Sequence, residues 1–192
     1  MNLNRGKFNT NIYLLETKKI IFIYGGSQGS IPLIDKFLLI LDKLDKNLLN
    51  DLKLIIQAPK IFYNDLNVRL NSLKIDFEIN EFYKNIDQIL TISNLAITRA
   101  GSGTINDLIK FNTPSIIIPL PHSMNNHQFN NAKYLSDKNC AILFDENNFN
   151  TDINTNIFKN LITNELQLNV MKKELNKIIL PEANKLMLKK LF

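Results

Sequence analysis

Two glycine-rich turns carry the residues that are best suited to bind an anion. The first reads Gly25-Gly26-Ser27-Gln28-Gly29, the second is Arg99–Thr104 (RAGSGT), and together they hold five of the six glycines. Each turn follows an apolar run and precedes a predicted helix, so free N–H groups and the positive end of the helix dipole would face a ligand. The glycines indicate that both turns need special backbone geometry. The expected contacts are made by Ser27, Gln28, Gly29, Gly101, Ser102, Gly103 and Thr104.

Side chains suited to sugar hydroxyls follow the second turn. Asp107 lies one helical turn after Thr104, so both can face one ligand, and a carboxylate accepts two O–H donors. The alternative for Asp107 is an exposed acid in the first helical turn, where the dipole favours it. Amides and an imidazole crowd into Asn125–Asn131, and amides both donate and accept. The two patterns together indicate a nucleotide-sugar.

The elements that would position these residues alternate between strands and helices. The predicted strands are Lys19–Tyr24, Leu52–Gln57, Leu73–Ile79, Leu95–Ile97, Ser115–Ile118 and Ala141–Phe144. The predicted helices are Ile31–Leu44, Ile61–Ser72, Ile86–Ile92, Gly103–Phe111, Asn125–Ser136, Thr151–Thr163, Glu165–Ile179 and Glu182–Phe192. This alternation predicts an α/β fold, a doubly wound parallel sheet of the Rossmann type, which binds ligands beyond the carboxyl ends of its strands. Both turns, the segment after Phe82 and the Pro119–Asn131 loop follow strands and should converge there.

Composition excludes several other classes. The 192 residues suffice for one domain, and no apolar run reaches the roughly 18 residues of a membrane span. Met1–Asn11 lacks the apolar core of a signal peptide, and the lone Cys140 indicates a reducing compartment, so we expect a cytoplasmic protein. The net charge of +5 fits an anionic ligand or an acidic membrane surface. No basic stripe is interleaved with aromatic residues, so nucleic acid is not an expected partner.

The motifs resemble those of the bacterial MurG-type glycosyltransferases. These enzymes transfer N-acetylglucosamine (GlcNAc) from UDP-GlcNAc to the lipid-linked muramyl-pentapeptide precursor of peptidoglycan. The resemblance is carried by Gly25–Gly29, Arg99–Thr104 and Pro119–Ala132, and it runs from about Asn2 to the last predicted helix. It covers the donor-binding, C-terminal half of a GT-B enzyme. It therefore implies one UDP-GlcNAc-binding domain over residues 1–192, with the N-terminal acceptor domain absent.

The resemblance implies contacts to the diphosphate and the base. Arg5 would reach the donor diphosphate, although Leu3 stands where the family has proline; the alternative is a solvated arginine. The backbone amide of Tyr83 would read the edge of uracil, and Ile86 would cover its face. The alternative for Phe82 and Ile86 is that they only fill the core.

The resemblance also implies contacts to the ribose and the sugar. Asp107 would bind the ribose hydroxyls with a side chain one methylene shorter than the glutamate usual in the family. His127, Gln128 and Asn131 match sugar-contacting positions, where glutamine is common in place of His127. Asn131 could instead cap a helix or face solvent.

The charge of the donor diphosphate has to be neutralised. Many sugar transferases do so with a metal held by an Asp-x-Asp pair, which this sequence lacks, and its single cysteine and two histidines form no metal set. We therefore expect metal-independent donor binding, without a cofactor, through turn amides, helix N-termini and arginine. Inverting transfer also needs a general base. The resemblance places that base and the lipid-acceptor groove in the missing domain, since neither His122 nor His127 matches the role.

Other functions remain open. The chain could be a donor-binding subunit recruited by a membrane partner, as in the similar eukaryotic dolichol-linked transferase, or a non-catalytic nucleotide-sugar module. Peripheral association with the cytoplasmic face of the membrane would fit a partner of that kind.

The first turn also spells G-x-S-x-G, the hydrolase nucleophile elbow, with Asp107 and His122 following Ser27 in triad order. However, no loop precedes the first strand to supply the second oxyanion donor. In the last predicted helix, apolar residues among lysines would contact the missing domain or fold back on the sheet.

Overall fold

Six parallel strands form one sheet in the computed structural model, which describes residues 17–26 and 30–179. The strands are β1 Lys19–Tyr24, β2 Leu52–Gln57, β3 Asp76–Asn80, β4 Leu95–Thr98, β5 Ser115–Ile117 and β6 Ala141–Leu143. Their spatial order is β3-β2-β1-β4-β5-β6, and every neighbouring pair is parallel. The predicted doubly wound α/β fold is confirmed. Predictions for Arg5, Ser27, Gln28, Gly29 and the helix Glu182–Phe192 concern residues outside the described ranges.

Helices cover both faces of the sheet. They are α1 Ile31–Leu41, α2 Lys46–Asn50, α3 Tyr63–Ser72, α4 Ile86–Ile92, α5 Ser102–Lys110, α6 His127–Asp137, α7 Thr151–Thr163 and α8 Glu165–Asn176. Short 3₁₀ turns, Lys60–Phe62 and Met124–Asn126, precede α3 and α6. Within residues 17–26 and 30–179, no helix has the length and apolar character that a membrane span requires.

The core lies in two layers, one on each side of the sheet. Ile21 and Ile23 of β1 pack toward α1, α3 and α7, whereas Phe22 and Tyr24 pack toward α4, α5 and α6. Burial on both faces explains why the strands read as continuous apolar runs instead of alternating ones. In the second layer, the rings of Phe22 and Tyr83 meet edge to face, with centroids 5.9 Å apart. This layer packs directly under the helices that carry most of the candidate site.

Several predicted boundaries are wrong because short local turns were not recognised. β3 begins at Asp76 instead of Leu73, since Lys74 adopts a φ of 55° and the N–H of Ile75 donates to Leu70 O to close α3. α1 ends at Leu41, three residues early, and α2 was not predicted at all. A helix of five residues is too short to show an apolar period.

Candidate functional site

The carboxyl ends of four neighbouring strands lie in register along one edge of the sheet. Tyr24 of β1 is level with Thr98 of β4, Thr98 with Ile117 of β5, and Ile117 with Leu143 of β6. The chain between β1 and β4 runs out to β3 and returns, so the crossover directions reverse between β1 and β4. A crevice at this switch point is where doubly wound sheets bind ligands. The predicted convergence is confirmed for the strand ends from which these segments leave.

The first glycine turn leads into an α1 N-terminus without a side-chain cap. Gly26 has a φ of +89°, a conformation that L side chains rarely adopt, so glycine is required there. Ser30 is the N-cap of α1, but its hydroxyl does not bond to the helix backbone. Instead, Ser30 Oγ accepts a hydrogen bond from Arg99 Nε at 3.2 Å. Pro32 has no N–H, and among the described residues no side chain accepts from the N–H groups of Ile31 and Leu33, which can therefore serve an anion.

The second glycine turn opens α5 with ordinary backbone geometry. Gly101 is the N-cap at a φ of −61°, and neither Gly101 nor Gly103 has a positive φ. The expectation of special geometry at this turn is therefore wrong. A Cβ added at Gly103 would meet nothing within 4 Å, so glycine leaves open space at the start of the helix. The N-cap Gly101 has no side chain, and in the described part of the chain no other side chain accepts from the first N–H groups of α5.

Asp107 occupies the second turn of α5 and is half-buried. No acidic residue lies in the first turn of α5 and Asp107 is not exposed, so the alternative of an exposed first-turn acid is wrong. Burial raises the pKa of Asp107, Lys110 opposes the shift, and Asp87 adds to it. The same carboxylate contributes to the raised pKa of Tyr24, for which burial is the larger cause. A partly desolvated carboxylate beside the helix start is well placed to accept O–H donors.

The segment after β3 separates two neighbouring aromatic residues. Tyr83 is buried, and its ring packs against Phe22, whereas Phe82 is 58% exposed. The suggestion that Phe82 fills the core is therefore wrong. Ile86 begins α4 and packs, partly buried, against the second core layer. Part of the Ile86 side chain is still accessible to a ligand. Its contact with uracil stays a prediction.

Residues 119–131 bring the sugar-binding candidates close to the second turn. Gln128 Oε1 accepts hydrogen bonds from Ala100 N at 3.3 Å and from Leu120 N at 3.1 Å. Asn131 Nδ2 donates to Ala100 O at 3.0 Å. Gln128 and Asn131, three residues apart on α6, thus hold the backbone of Ala100 between them. Asn131 is therefore not a helix cap, contrary to one alternative, and this bracing role was missed by the sequence analysis.

His127 is exposed at the start of α6, and its ring is oriented by the backbone. Its Nδ1 lies 2.6 Å from Met124 O. Because a carbonyl oxygen only accepts, Nδ1 is the donor in this contact, and Nε2 is directed away from it. Asn125 and Asn126, just before it, have φ values of 51° and 53°. Asparagine tolerates this left-handed conformation better than most residues.

His122 lies in an open groove beside α6. It is exposed and has a φ of 58°. Asn126, Phe129 and Asp145 also line this groove, so it combines polar groups with an aromatic edge. In the described part of the chain, no group of three or more His, Cys, Asp or Glu side chains is arranged to hold a metal ion.

A buried ion pair beneath the site was not predicted. Arg99 Nη1 donates to Ile118 O at 3.0 Å, to Pro119 O at 3.2 Å and to Glu146, while Nε donates to Ser30. The side chains of Arg99 and Glu146 are 6% and 14% exposed. Arg99 Nη2 is buried and has no hydrogen-bond partner among the described residues. We call this arrangement of Arg99, Glu146, Ser30 and the two carbonyls the Arg99 clamp.

One sequence signal could have revealed the Arg99 clamp. Arg99 directly follows the buried strand β4 and precedes the buried Ala100, so its side chain starts inside the protein. A buried arginine needs an acidic partner and further acceptors. The sequence alone, however, did not say which of the distant carboxylates would supply the charge.

Comparison with known proteins gives consistent matches over most of the chain. Residues 20–187 match the family model described as glycosyltransferase family 28 C-terminal domain. A UDP-N-acetylglucosamine--N-acetylmuramyl-(pentapeptide) pyrophosphoryl-undecaprenol N-acetylglucosamine transferase of Rickettsia typhi is 36% identical over 159 residues, which cover 81% of this chain and 39% of the relative. The transferase of the same name from Ruminiclostridium cellulolyticum is 31% identical over 183 residues, covering 92% of this chain and 49% of the relative.

A solved structure shows the same fold. The crystal structure of Acinetobacter baumannii MurG superposes with a TM-score of 0.81 at 20% sequence identity, over 92% of this chain and 52% of that one. This chain therefore spans about half, or less, of the length of the relatives it matches.

Proposed function

Because this chain belongs to the glycosyltransferase family 28 C-terminal domains, we propose that it binds the UDP-GlcNAc donor of a GlcNAc transferase in peptidoglycan synthesis. The observation that carries the proposal is the convergence of two uncapped helix N-termini at one sheet edge, with Asp107 and Gln128 beside the second. Two helix N-termini suit a diphosphate, and the neighbouring carboxylate and amides suit sugar hydroxyls.

Each part of the donor has a set of proposed contacts. The starts of α1 and α5 bind the diphosphate, Asp107 binds the ribose, and Tyr83 with Ile86 holds the uracil. The GlcNAc ring meets His127, Gln128 and Asn131. Since Gln128 Oε1 already accepts two backbone N–H groups, its amide Nε2 is the group left for a sugar oxygen. Asn131 likewise uses Nδ2 and keeps Oδ1.

Donor binding is expected to be independent of metal. Helix N-termini and turn amides neutralise phosphate charge without an ion. Isothermal titration calorimetry of the purified chain should therefore give the same Kd for UDP-GlcNAc with Mg²⁺ and with EDTA. UDP-GalNAc, UDP and NAD serve as comparison ligands, and we expect NAD not to bind. A strict requirement for Mg²⁺ or Mn²⁺ would contradict metal independence, and absence of UDP-GlcNAc binding under both conditions would contradict the function itself.

Residues outside this chain would complete the reaction. The relatives are about twice as long as this chain or longer. We infer that the general base and the groove for the lipid-linked acceptor come from a further domain or a partner chain, and that transfer inverts the sugar. A lipid-linked acceptor would hold the complete enzyme on the cytoplasmic face of the membrane. Alternatively, the donor-binding and acceptor-binding parts are separate chains, and this chain is a donor-binding subunit that a partner completes.

The serine hydrolase alternative makes a different chemical prediction. It requires Ser27 to be a nucleophile, whereas the donor-binding proposal makes Ser27 a phosphate contact. A fluorophosphonate probe is therefore expected to leave the wild-type chain unlabelled, as judged by intact mass spectrometry. The Ser27→Ala variant is the matched control. Stoichiometric labelling that disappears in the variant would favour the hydrolase.

A further inference from the structure

The Arg99 clamp joins three parts of the chain that are far apart in sequence. Arg99 follows β4, Ser30 precedes α1, and Glu146 follows β6. The two carbonyls that Nη1 contacts belong to Ile118 and Pro119, directly after β5. One guanidinium thus holds the segments that leave β1, β4, β5 and β6. Its position decides how far the start of α1 lies from residues 119–131.

The backbone next to Arg99 repeats the same connection. Ala100 N–H donates to Gln128 Oε1, which also receives the N–H of Leu120. Asn131 binds the carbonyl of Ala100. Residues 119–131 are therefore attached to the Arg99–Ala100 dipeptide both at their beginning and at α6. A shift of Arg99 would move this segment relative to α1.

Burial makes the spacing rigid. Both charged side chains are nearly excluded from solvent, so their hydrogen bonds are not exchanged with water as those of a surface pair are. A planar guanidinium can serve several acceptors in fixed directions, which a lysine ammonium on a flexible stem cannot. In contrast, no described hydrogen bond of Arg99 runs to Tyr83, Ile86 or Asp107, the residues proposed to hold uridine.

We infer that Arg99 and Glu146 are positioning residues that set the distance between the diphosphate contacts at α1 and the sugar contacts in residues 119–131. This inference rests on the proposed function. It adds a physical reason why a complete nucleotide-sugar would bind more tightly than UDP or uridine. The Arg99 clamp contributes to binding the parts of the donor that span the two segments. It contributes nothing to binding the nucleoside alone.

The test uses the Arg99→Met/Glu146→Met double variant, which removes both charges and leaves none unpaired in the core. Circular dichroism and urea unfolding establish that it is folded. NMR and calorimetric titrations then give Kd values for UDP-GlcNAc, UDP and uridine. We expect binding of UDP-GlcNAc to weaken about tenfold, the scale of one misplaced hydrogen bond, binding of UDP to weaken less, and binding of uridine to stay within about twofold. The Arg99→Lys variant keeps the charge but lacks the planar guanidinium. Its affinity for UDP-GlcNAc should therefore lie between those of the wild type and the double variant.

The matched control is Lys133→Met/Asp137→Met, which removes an exposed ion pair on α6 and should change none of the three affinities. Equal weakening of all three ligands by the Arg99→Met/Glu146→Met variant would show a general structural role and overturn the inference, as would three unchanged affinities. If the wild type binds uridine and UDP but not UDP-GlcNAc, or none of them, the proposed function fails and the inference fails with it.

Discussion

Replacing Arg99 alone with methionine is expected to lower the free energy of unfolding by about 3–5 kcal/mol. The substitution leaves the Glu146 carboxylate buried without its partner, and it removes the donor for Ile118 O, Pro119 O and Ser30 Oγ. An uncompensated buried charge costs far more than the pair itself contributes. Urea unfolding followed by circular dichroism, with a common m-value for both proteins, measures the difference.

Two variants separate the buried charge from the loss of the arginine itself. The Arg99→Met/Glu146→Met variant should recover most of the loss, because no charge remains unpaired. Lys133→Met, in the exposed pair with Asp137, should stay within about 0.5 kcal/mol of the wild type. A double variant as unstable as Arg99→Met would mean that packing of the arginine stem, and not the ion pair, holds this region together.

The Asp107→Ala substitution is expected to weaken UDP binding by about 1–3 kcal/mol, the scale of hydrogen bonds to a charged group. The proposed cause is loss of the acceptor for the ribose hydroxyls. The fold should survive, because Asp107 is only half-buried on α5 and the described structure shows no side-chain ion pair for it within 4 Å. Calorimetry with UDP gives the difference directly. Unchanged affinity would mean that Asp107 does not contact the ribose.

The Asp107→Asn variant keeps the shape of the side chain and removes its charge, so it tests how the carboxylate affects the stability of the fold. Burial raises the pKa of Asp107 in the folded state above its ordinary value of 3.8, so the folded protein holds this proton more tightly than the unfolded chain does. The stability that results is present below pH 3.8 and is lost as the pH rises through the folded pKa. The asparagine variant should therefore equal the wild type in stability at acid pH and exceed it at neutral pH. The opposite order at neutral pH would mean that the carboxylate is stabilised by a partner in the fold.

Local chemistry was enough to predict most of the elements. The continuous apolar runs identified β1 and β2 to the residue, because strands buried on both faces need no polar alternation. The boundaries of α7 were also predicted as observed, and Asn150 caps this helix by accepting from the N–H of Ile153. The alternation of these elements then specified the parallel sheet and the edge at which a ligand would bind. The resemblance to the MurG-type enzymes, carried by three ordered motifs, is supported by the family to which the chain belongs.

Only the tertiary structure decided how the binding edge is held. Ser30 and Glu146 lie 69 and 47 residues away from Arg99, and no periodicity or turn signal links such distant positions. Gln128 and Asn131 look like free amides in the sequence, but the fold places the backbone of Ala100 between them and uses the carbonyl oxygen of Gln128 and the amino group of Asn131. Propensity and turn chemistry act over a few residues, whereas the partner of a buried polar group depends on which strands become neighbours. Which strands become neighbours depends on the packing of the whole sheet.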